Sequence, residues 1–221
     1  MTPATGRQIF ELMRQCGVVS VVMPPAPEHA AQLGAALVEG GLPCIEIVFR
    51  AAGAPEAIER LRTNVPSMLV GAGTILTVEQ ARAAVSSGAQ FIVSPGTNPT
   101  VVELALGEGI PILPGVATPS EIEANVARGI HVLKLFPAEV LGGVRFLKAM
   151  AGPYGAVEFV PTGGISPENL ADYLALPNVL ACGGSWIVSQ AALAAGDFQT
   201  VARRAREAAD IVAAARAGRA S

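Results

Sequence analysis

Short apolar runs alternate with amphipathic segments along most of this 221-residue chain. Eight such runs begin at intervals of 20 to 26 residues, and many are rich in Val and Ile. Runs of this length and composition are typical of strands that are buried on both faces of a parallel sheet. The predicted strands are Val18–Met23, Cys44–Phe49, Met68–Ala72, Phe91–Val93, Ile112–Leu113, Val132–Phe136, Val157–Val160 and Val179–Ala181.

The segments between these runs have the spacing and the end signals of helices. Thr77 and Gln80 have the spacing of a capping box, and Pro119 and Pro167 stand where a first helical turn accepts proline. A helix over Gly6–Gln15 is predicted before the first strand. The other predicted helices are Glu28–Glu39, Pro55–Arg62, Val78–Ser87, Thr100–Glu108, Pro119–Ala127, Gly143–Met150, Pro167–Leu174 and Phe198–Ala215.

Eight strands that alternate with eight helices predict an α/β protein, a (β/α)8 TIM barrel with an extra N-terminal helix. We expect residues 1–221 to form this barrel as a single domain. A doubly wound open sheet is the alternative, but it usually has fewer strands and a glycine-rich first βα turn. That turn is Met23-Pro24-Pro25-Ala26-Pro27 here, which excludes a dinucleotide-binding fingerprint.

The composition narrows the classes of partner and cofactor. The formal net charge is -3 and no basic stripe is present, so nucleic-acid binding is disfavoured. The apolar runs are far shorter than the roughly 20 residues of a membrane span, and no secretory signal precedes the first strand. Three widely separated cysteines fit reduced thiols in the cytoplasm. The two histidines form no cluster with cysteine, so we expect neither a metal nor a cofactor.

Two charged residues stand inside apolar runs, Glu46 in Cys44–Phe49 and Lys134 in Val132–Phe136. Lysine is almost never fully buried without a partner, and burial disfavours its charged form. The neutral amine is the nucleophile that forms a Schiff base with a carbonyl substrate. A strand-edge lysine that reaches water and a buried ion pair are the structural alternatives. Because buried ion pairs add little net stability, two charges on core strands indicate function.

Side chains along a strand alternate between its two faces, so Glu46, Val48 and Arg50 share one face, and Lys134 and Phe136 share another. If both faces point inward, one acid and two cations meet inside the barrel. Chemistry in such barrels takes place where the strands end, at their C-terminal edge.

Glycine pairs follow the last two predicted strands, in Thr162-Gly163-Gly164 and in Gly183-Gly184-Ser185. Phosphate sites in (β/α)8 barrels use the loops after strands 7 and 8, where glycine lets backbone N–H groups approach phosphate oxygens. Tight turns that need a positive φ angle are the alternative explanation. Two pairs at the two expected strands favour a phosphate site.

These motifs together resemble those of the 2-dehydro-3-deoxy-phosphogluconate aldolases, the class I KDPG/KHG aldolase family. The resemblance extends from about Gly17 to Val188. The segments that carry it are Glu46-Ile-Val-Phe-Arg50, Gly71-Ala-Gly-Thr74, Ser94-Pro-Gly96, Leu133-Lys-Leu-Phe-Pro-Ala-Glu139, Pro161-Thr-Gly-Gly-Ile165 and Gly183-Gly-Ser-Trp186.

The resemblance implies cleavage of 2-dehydro-3-deoxy-6-phosphogluconate, a phosphorylated 2-keto acid, to pyruvate and glyceraldehyde 3-phosphate by a homotrimer without a metal. It implies that Lys134 forms the Schiff base and that Glu46 is the general acid and base. It further implies that Arg50 and Thr74 bind the pyruvate carboxylate with Thr162 nearby, that Pro95 and Phe136 line the pocket, and that Gly163, Gly164, Gly184 and Ser185 hold the phosphate.

Several alternatives stay open at this point. Val48 replaces a threonine that is frequent in the gluconate branch, whereas Arg50 and Trp186 favour that branch over the galactonate-specific relatives, which have Asn at the position of Arg50. The same chemistry on 4-hydroxy-2-oxoglutarate or 2-dehydro-3-deoxy-6-phosphogalactonate is one alternative. A phosphosugar isomerase or epimerase, with Glu46 as base and Lys134 as electrostatic support, is another. A phosphosugar-binding protein without activity is a third.

Overall fold

The computed structural model describes residues 5–220, with side chains up to residue 218. Residues 1–4 and 221, which the predicted domain includes, lie outside the described residues. The helices are α1 (Gly6–Cys16), α2 (Ala30–Glu39), α3 (Ala54–Asn64), α4 (Val78–Ser86), α5 (Pro99–Gly107), α6 (Pro119–Val126), α7 (Gly143–Ala151), α8 (Pro167–Leu174), α9 (Gln190–Ala195) and α10 (Phe198–Ala220). The strands are β1 (Val18–Val22), β2 (Cys44–Val48), β3 (Leu69–Gly73), β4 (Ile92–Val93), β5 (Ile112–Leu113), β6 (Gly115–Val116), β7 (Val132–Leu135), β8 (Glu158–Pro161) and β9 (Cys182–Gly184).

The strands pair in parallel and form two ladders. One has the order β5-β4-β3-β2-β1-β9, and the other has the order β6-β7-β8. Two isolated parallel bridges, Phe159 with Val179 and Thr162 with Gly183, connect β8 to the segment that contains β9. The predicted α/β class is therefore confirmed, and the curled parallel sheet forms a half-barrel.

The predicted fifth strand, Ile112–Leu113, is confirmed, but a further strand, β6, follows it, and the predicted eighth strand needs correction. Pro114 separates β5 from β6, because proline has no N–H for the ladder, although its carbonyl still accepts a hydrogen bond from the Lys134 N–H at 2.9 Å. The eighth strand was predicted at Val179–Ala181, but the ladder forms at Cys182–Gly184. Glycine has low strand propensity, so the apolar run just before β9 gave the stronger signal.

Helix α9 was not predicted, although its end signals are present in the sequence. The hydroxyl of Ser189 accepts a hydrogen bond from the Ala192 N–H at 3.3 Å, and Gly196 ends the helix in the left-handed conformation. With only six residues, α9 is too short to show helical periodicity.

One hydrophobic cluster extends from Ile9 on α1 to Val212 on α10. The helices approach each other closely where glycine removes a side chain. A Cβ atom on Gly34 of α2 would lie 2.8 Å from a Leu61 methyl group and 2.9 Å from a Val65 methyl group. The three cysteines are free and buried within this core. Among residues 5–220, no helix combines the length and apolar character that a membrane crossing requires.

Candidate active site

Glu46 and Lys134 meet inside the curled sheet although they belong to different ladders. Glu46 lies in β2 in register with Val21 and Gly71, and Lys134 lies in β7 in register with Gly115 and Val160. The two residues are only 3% and 6% exposed, and Lys134 Nζ lies 3.4 Å from Glu46 Oε1. Each charge therefore compensates for the other in a site that water hardly reaches.

The Glu46–Lys134 contact is longer than a tight ion pair. A tight charge-assisted N–H···O bond measures roughly 2.7–2.9 Å, which is clearly shorter than the 3.4 Å found here. A lysine held this loosely can turn its nitrogen toward a substrate carbonyl, and the adjacent carboxylate can accept its proton. The arrangement thus places an amine that can act as a nucleophile next to a carboxylate that can act as a base.

Glycine at position 73 makes room for the Glu46 carboxylate. Gly73 ends β3 in register with Val48, and a Cβ atom at this position would overlap the carboxylate of Glu46. Two residues earlier in the same strand, a Cβ atom on Gly71 would overlap the ring of Phe91. Glycine inside a strand frequently marks such a close approach, and this signal at Gly73 could have predicted the contact.

The sequence predicts that Glu46 takes part in the reaction, so we expect Gly73→Ala to lower kcat about 100-fold, which is the size of effect that a shift of about 1 Å can have. The added methyl group must push the Glu46 carboxylate away from Lys134. The steady-state rate of substrate cleavage measures the effect. Gly107→Ala is the matched control, because a Cβ atom there has no neighbour within 4 Å. An unchanged kcat for Gly73→Ala would show that the position of Glu46 does not matter.

Phe136, Thr162 and Pro95 lie just after the ends of β7, β8 and β4. Lys134 Nζ lies 5.4 Å from the centroid of the Phe136 ring, which is itself partly exposed. Thr162 is buried, and its Oγ1 lies against Gly183, where a Cβ atom would overlap it. The Pro95 carbonyl would likewise be overlapped by a side chain on Gly115, the neighbour of Lys134 in β6. Phe136 thus contacts the lysine directly, whereas Thr162 and Pro95 lie against glycines of β9 and β6.

Arg50 and Thr74 follow the ends of β2 and β3, at the same edge of the sheet. Arg50 is exposed and makes no hydrogen bond or ion pair with the described residues. Thr74 has a φ angle of 58° and is the one non-glycine residue with positive φ in residues 5–220. Such backbone costs on the order of 1–3 kcal/mol and tends to occur at functional sites. The structure thus places both residues at the edge of the site without joining either to Glu46 or Lys134.

The two glycine motifs lie next to each other after β8 and within β9. Gly163 and Gly164 have φ angles of 98° and 82°, which L-residues with side chains rarely adopt. Gly184 is the buried last residue of β9, and the exposed Ser185 follows it. The bridge between Thr162 and Gly183 holds the two segments side by side. Helix α8 begins at Pro167, directly after the first motif, so its positive N-terminal end faces the same region.

A cavity of about 710 Å³ lies at the opposite edge of the sheet, where the strands begin. Its walls include Phe10 and Arg14 of α1 and His131 and Glu158 near the starts of β7 and β8. The two terminal nitrogens of the Arg14 guanidinium group donate to the two oxygens of the Glu158 carboxylate, each at 2.7 Å. This ion pair connects α1 to the sheet. None of the predicted site residues lines this cavity, so volume alone does not indicate where the chemistry is.

Comparison with known proteins adds an independent finding. A family model described as KDPG and KHG aldolase matches residues 9–204. The 2-dehydro-3-deoxy-phosphogluconate aldolase of Treponema pallidum is 51% identical over 204 residues, which cover 92% of this chain and 97% of that protein. The KHG/KDPG aldolase of Escherichia coli K12 is 44% identical over 191 residues, or 86% of this chain and 90% of that protein.

A solved structure is also similar to this chain. It is a KDPG aldolase from Legionella pneumophila with pyruvate captured as a covalent carbinolamine intermediate. The two chains superimpose with a TM-score of 0.87 at 35% identity, over 92% of this chain and 97% of the other.

Proposed function

Because this chain belongs to the KDPG and KHG aldolase family, an aldehyde-lyase family, we propose that it cleaves 2-dehydro-3-deoxy-6-phosphogluconate through a Schiff base on Lys134. The products are pyruvate and glyceraldehyde 3-phosphate. The observation that carries the proposal is the buried contact of 3.4 Å between Lys134 Nζ and Glu46 Oε1. The carbinolamine of the Legionella pneumophila enzyme supports the covalent route.

In the first half of the reaction, Lys134 becomes bonded to the substrate. Glu46 takes a proton from the ammonium group, and the neutral amine attacks the C2 ketone to give a carbinolamine. Glu46 then returns the proton to the C2 hydroxyl, which leaves as water, so that an iminium ion remains. Burial of both groups strengthens these charge interactions because little water is present to screen them.

In the second half, the iminium ion draws in the electron pair of the C3–C4 bond as that bond breaks. Glu46, which is a carboxylate again at this stage, accepts the proton of the C4 hydroxyl, and glyceraldehyde 3-phosphate departs. The remaining enamine takes a proton at C3, for which Glu46 is the nearby acid. Water then adds at C2 and releases pyruvate, which regenerates the amine of Lys134.

The residues around the lysine orient the pyruvate half of the substrate. We assign the carboxylate to Arg50 and Thr74, with Thr162 nearby, because a guanidinium group binds a carboxylate through two parallel hydrogen bonds. The free guanidinium group of Arg50 supports this assignment. Pro95 and Phe136 form the walls that hold the keto carbon against Lys134.

The glycine motifs bind the phosphate in this proposal. Backbone N–H groups of Gly163, Gly164 and Gly184, together with the Ser185 hydroxyl, approach its oxygens, and the N-terminus of α8 favours the negative charge. The positive φ angles of Gly163 and Gly164 support such a cradle.

We also propose that the two ladders close into a complete (β/α)8 barrel and that residues 1–221 form a single domain. The bridges between β8 and the β9 segment support closure on one side, and the chain continues from β5 through Pro114 to β6 on the other. A homotrimer in the cytoplasm fits this family. The exposed side chains of Leu76, Leu106 and Val140 offer apolar surface for assembly, and light scattering would measure the mass.

Pyruvate release from three compounds tests the proposed function. We expect 2-dehydro-3-deoxy-6-phosphogluconate to be cleaved with a higher kcat/KM than its C4 epimer or 4-hydroxy-2-oxoglutarate. The rates should be unchanged in EDTA, because the iminium ion accepts the electron pair of the breaking bond and no metal ion is needed for this. Better cleavage of either other compound would keep the lysine chemistry but change the substrate. Loss of activity in EDTA that a divalent ion restores would contradict the Schiff-base mechanism.

A further inference from the structure

The segment after β7 is hydrogen-bonded to the loop after β8. The N–H of Ala138 donates to the Thr162 carbonyl at 2.8 Å, and the N–H of Glu139 donates to the Gly163 carbonyl at 3.1 Å. The chain that leaves the Schiff-base strand therefore runs beside the loop that we assign to the phosphate.

The Glu139 side chain continues this connection to helix α8. Its Oε1 accepts a hydrogen bond from the hydroxyl of Tyr173, which is fully buried in α8. Burial, and then the hydrogen bond to Glu139, raise the pKa of Tyr173 above its ordinary value, so the phenol remains a donor. Because α8 starts immediately after the glycine loop, this bond fixes the helix against the segment after β7.

Two glycines leave room for the Glu139 side chain. A Cβ atom on Gly164 would overlap the Cβ and Cγ atoms of Glu139, so these methylene groups lie directly on the bare backbone of the loop. A Cβ atom on Gly143 would lie 2.5 Å from the Tyr173 hydroxyl and 2.7 Å from Glu139 Oε1. The methylene groups of Glu139 thus contact the loop, and its carboxylate contacts α8.

We propose that Glu139 and Tyr173 are positioning residues that hold the Gly163–Gly164 loop in the conformation that binds the substrate phosphate. The pair, which we call the Glu139–Tyr173 brace, rests on the proposed function and acts through the loop without touching the reacting atoms. Lys134 is held by β7, which ends before the brace begins. Glu46 is held by β2, which belongs to the other ladder. Loss of the brace should therefore weaken phosphate recognition and leave imine chemistry intact.

The test compares Tyr173→Phe, Glu139→Ala and Glu139→Gln with the wild-type enzyme. Phenylalanine keeps the buried ring, and Glu139 is exposed, so Glu139→Ala leaves the core undisturbed. We expect Tyr173→Phe and Glu139→Ala to raise KM for the phosphorylated substrate, and the inhibition constant of inorganic phosphate, about three- to tenfold. This is the range that one hydrogen bond sustains. The rate of inactivation by pyruvate and borohydride should change less than about twofold.

Glutamine keeps a carbonyl oxygen for the tyrosine and methylene groups for Gly164, so Glu139→Gln should restore values close to the wild type. Tyr154→Phe is the matched control. Tyr154 also donates to a glutamate, Glu123 Oε1 at 2.9 Å, but it lies just before β8, at the opposite edge of the sheet.

An unchanged phosphate inhibition constant in both Tyr173→Phe and Glu139→Ala would overturn the proposal. An equal loss of phosphate inhibition and of pyruvate trapping would do so as well, since it would indicate general damage to the fold. A wild-type enzyme that releases no pyruvate would contradict the proposed function instead. Calorimetry of inorganic phosphate would then still test the brace.

Discussion

Lys134→Arg is expected to reduce cleavage by about 10⁶-fold, the scale seen when an enzyme loses its covalent nucleophile. Arginine keeps the positive charge beside Glu46, so the buried carboxylate retains a partner and the fold is preserved. An alanine would leave that carboxylate uncompensated, which typically destabilises a protein by about 3–5 kcal/mol. Because a guanidinium group does not lose its proton in proteins, the arginine cannot supply a neutral amine.

The small number of lysines provides a matched control for this experiment. Its sequence contains two lysines, Lys134 and Lys148. Borohydride reduction with pyruvate should attach a single adduct to the wild type, which peptide mass spectrometry would locate at Lys134. Lys148→Arg, on the exposed face of α7, should keep both the adduct and the activity. An adduct that persists in Lys134→Arg and disappears in Lys148→Arg would refute the assignment.

Glu46→Gln is expected to lower kcat by about 10²–10⁴-fold, the usual contribution of a positioned general acid and base. Glutamine has nearly the same size and fits beside Gly73, but it cannot accept the proton of Lys134. The affinity for pyruvate, measured by calorimetry, should change far less than kcat, because the carboxylate of pyruvate is assigned to Arg50 and Thr74.

Glu103→Gln, on the exposed face of α5, is the matched control and should leave kcat unchanged. A normal kcat in Glu46→Gln would remove Glu46 from the proton transfers. An equal loss of pyruvate affinity and kcat would make it a binding residue.

The sequence predicted the parts of this molecule whose signal is local. Glu46 and Lys134 stand out because each is a charge inside a short apolar run, and period-two alternation places each on a defined face of its strand. Helix ends such as the one at Thr77 and Gln80 follow from short-range hydrogen bonds that a few neighbouring residues determine. The α/β class follows from the regular alternation of these elements.

What the sequence did not reveal depends on contacts between distant segments. The overlap that requires glycine at position 73 involves a carboxylate on another strand, and the Glu139–Tyr173 brace joins residues 34 positions apart. The strand at Gly183 was missed because glycine has low strand propensity, and its close approach to Thr162 is a contact between distant segments. In the sequence, such a contact is visible only as a glycine or an acidic residue whose partner cannot be identified.

The deep position of Lys134 has a practical consequence for handling the protein. Reagents that acylate amines react with exposed, hydrated side chains, and the lysine that meets this condition is Lys148 on α7. A dye or a solid support coupled through that amine would attach the molecule at a known helix and leave the nucleophile unmodified.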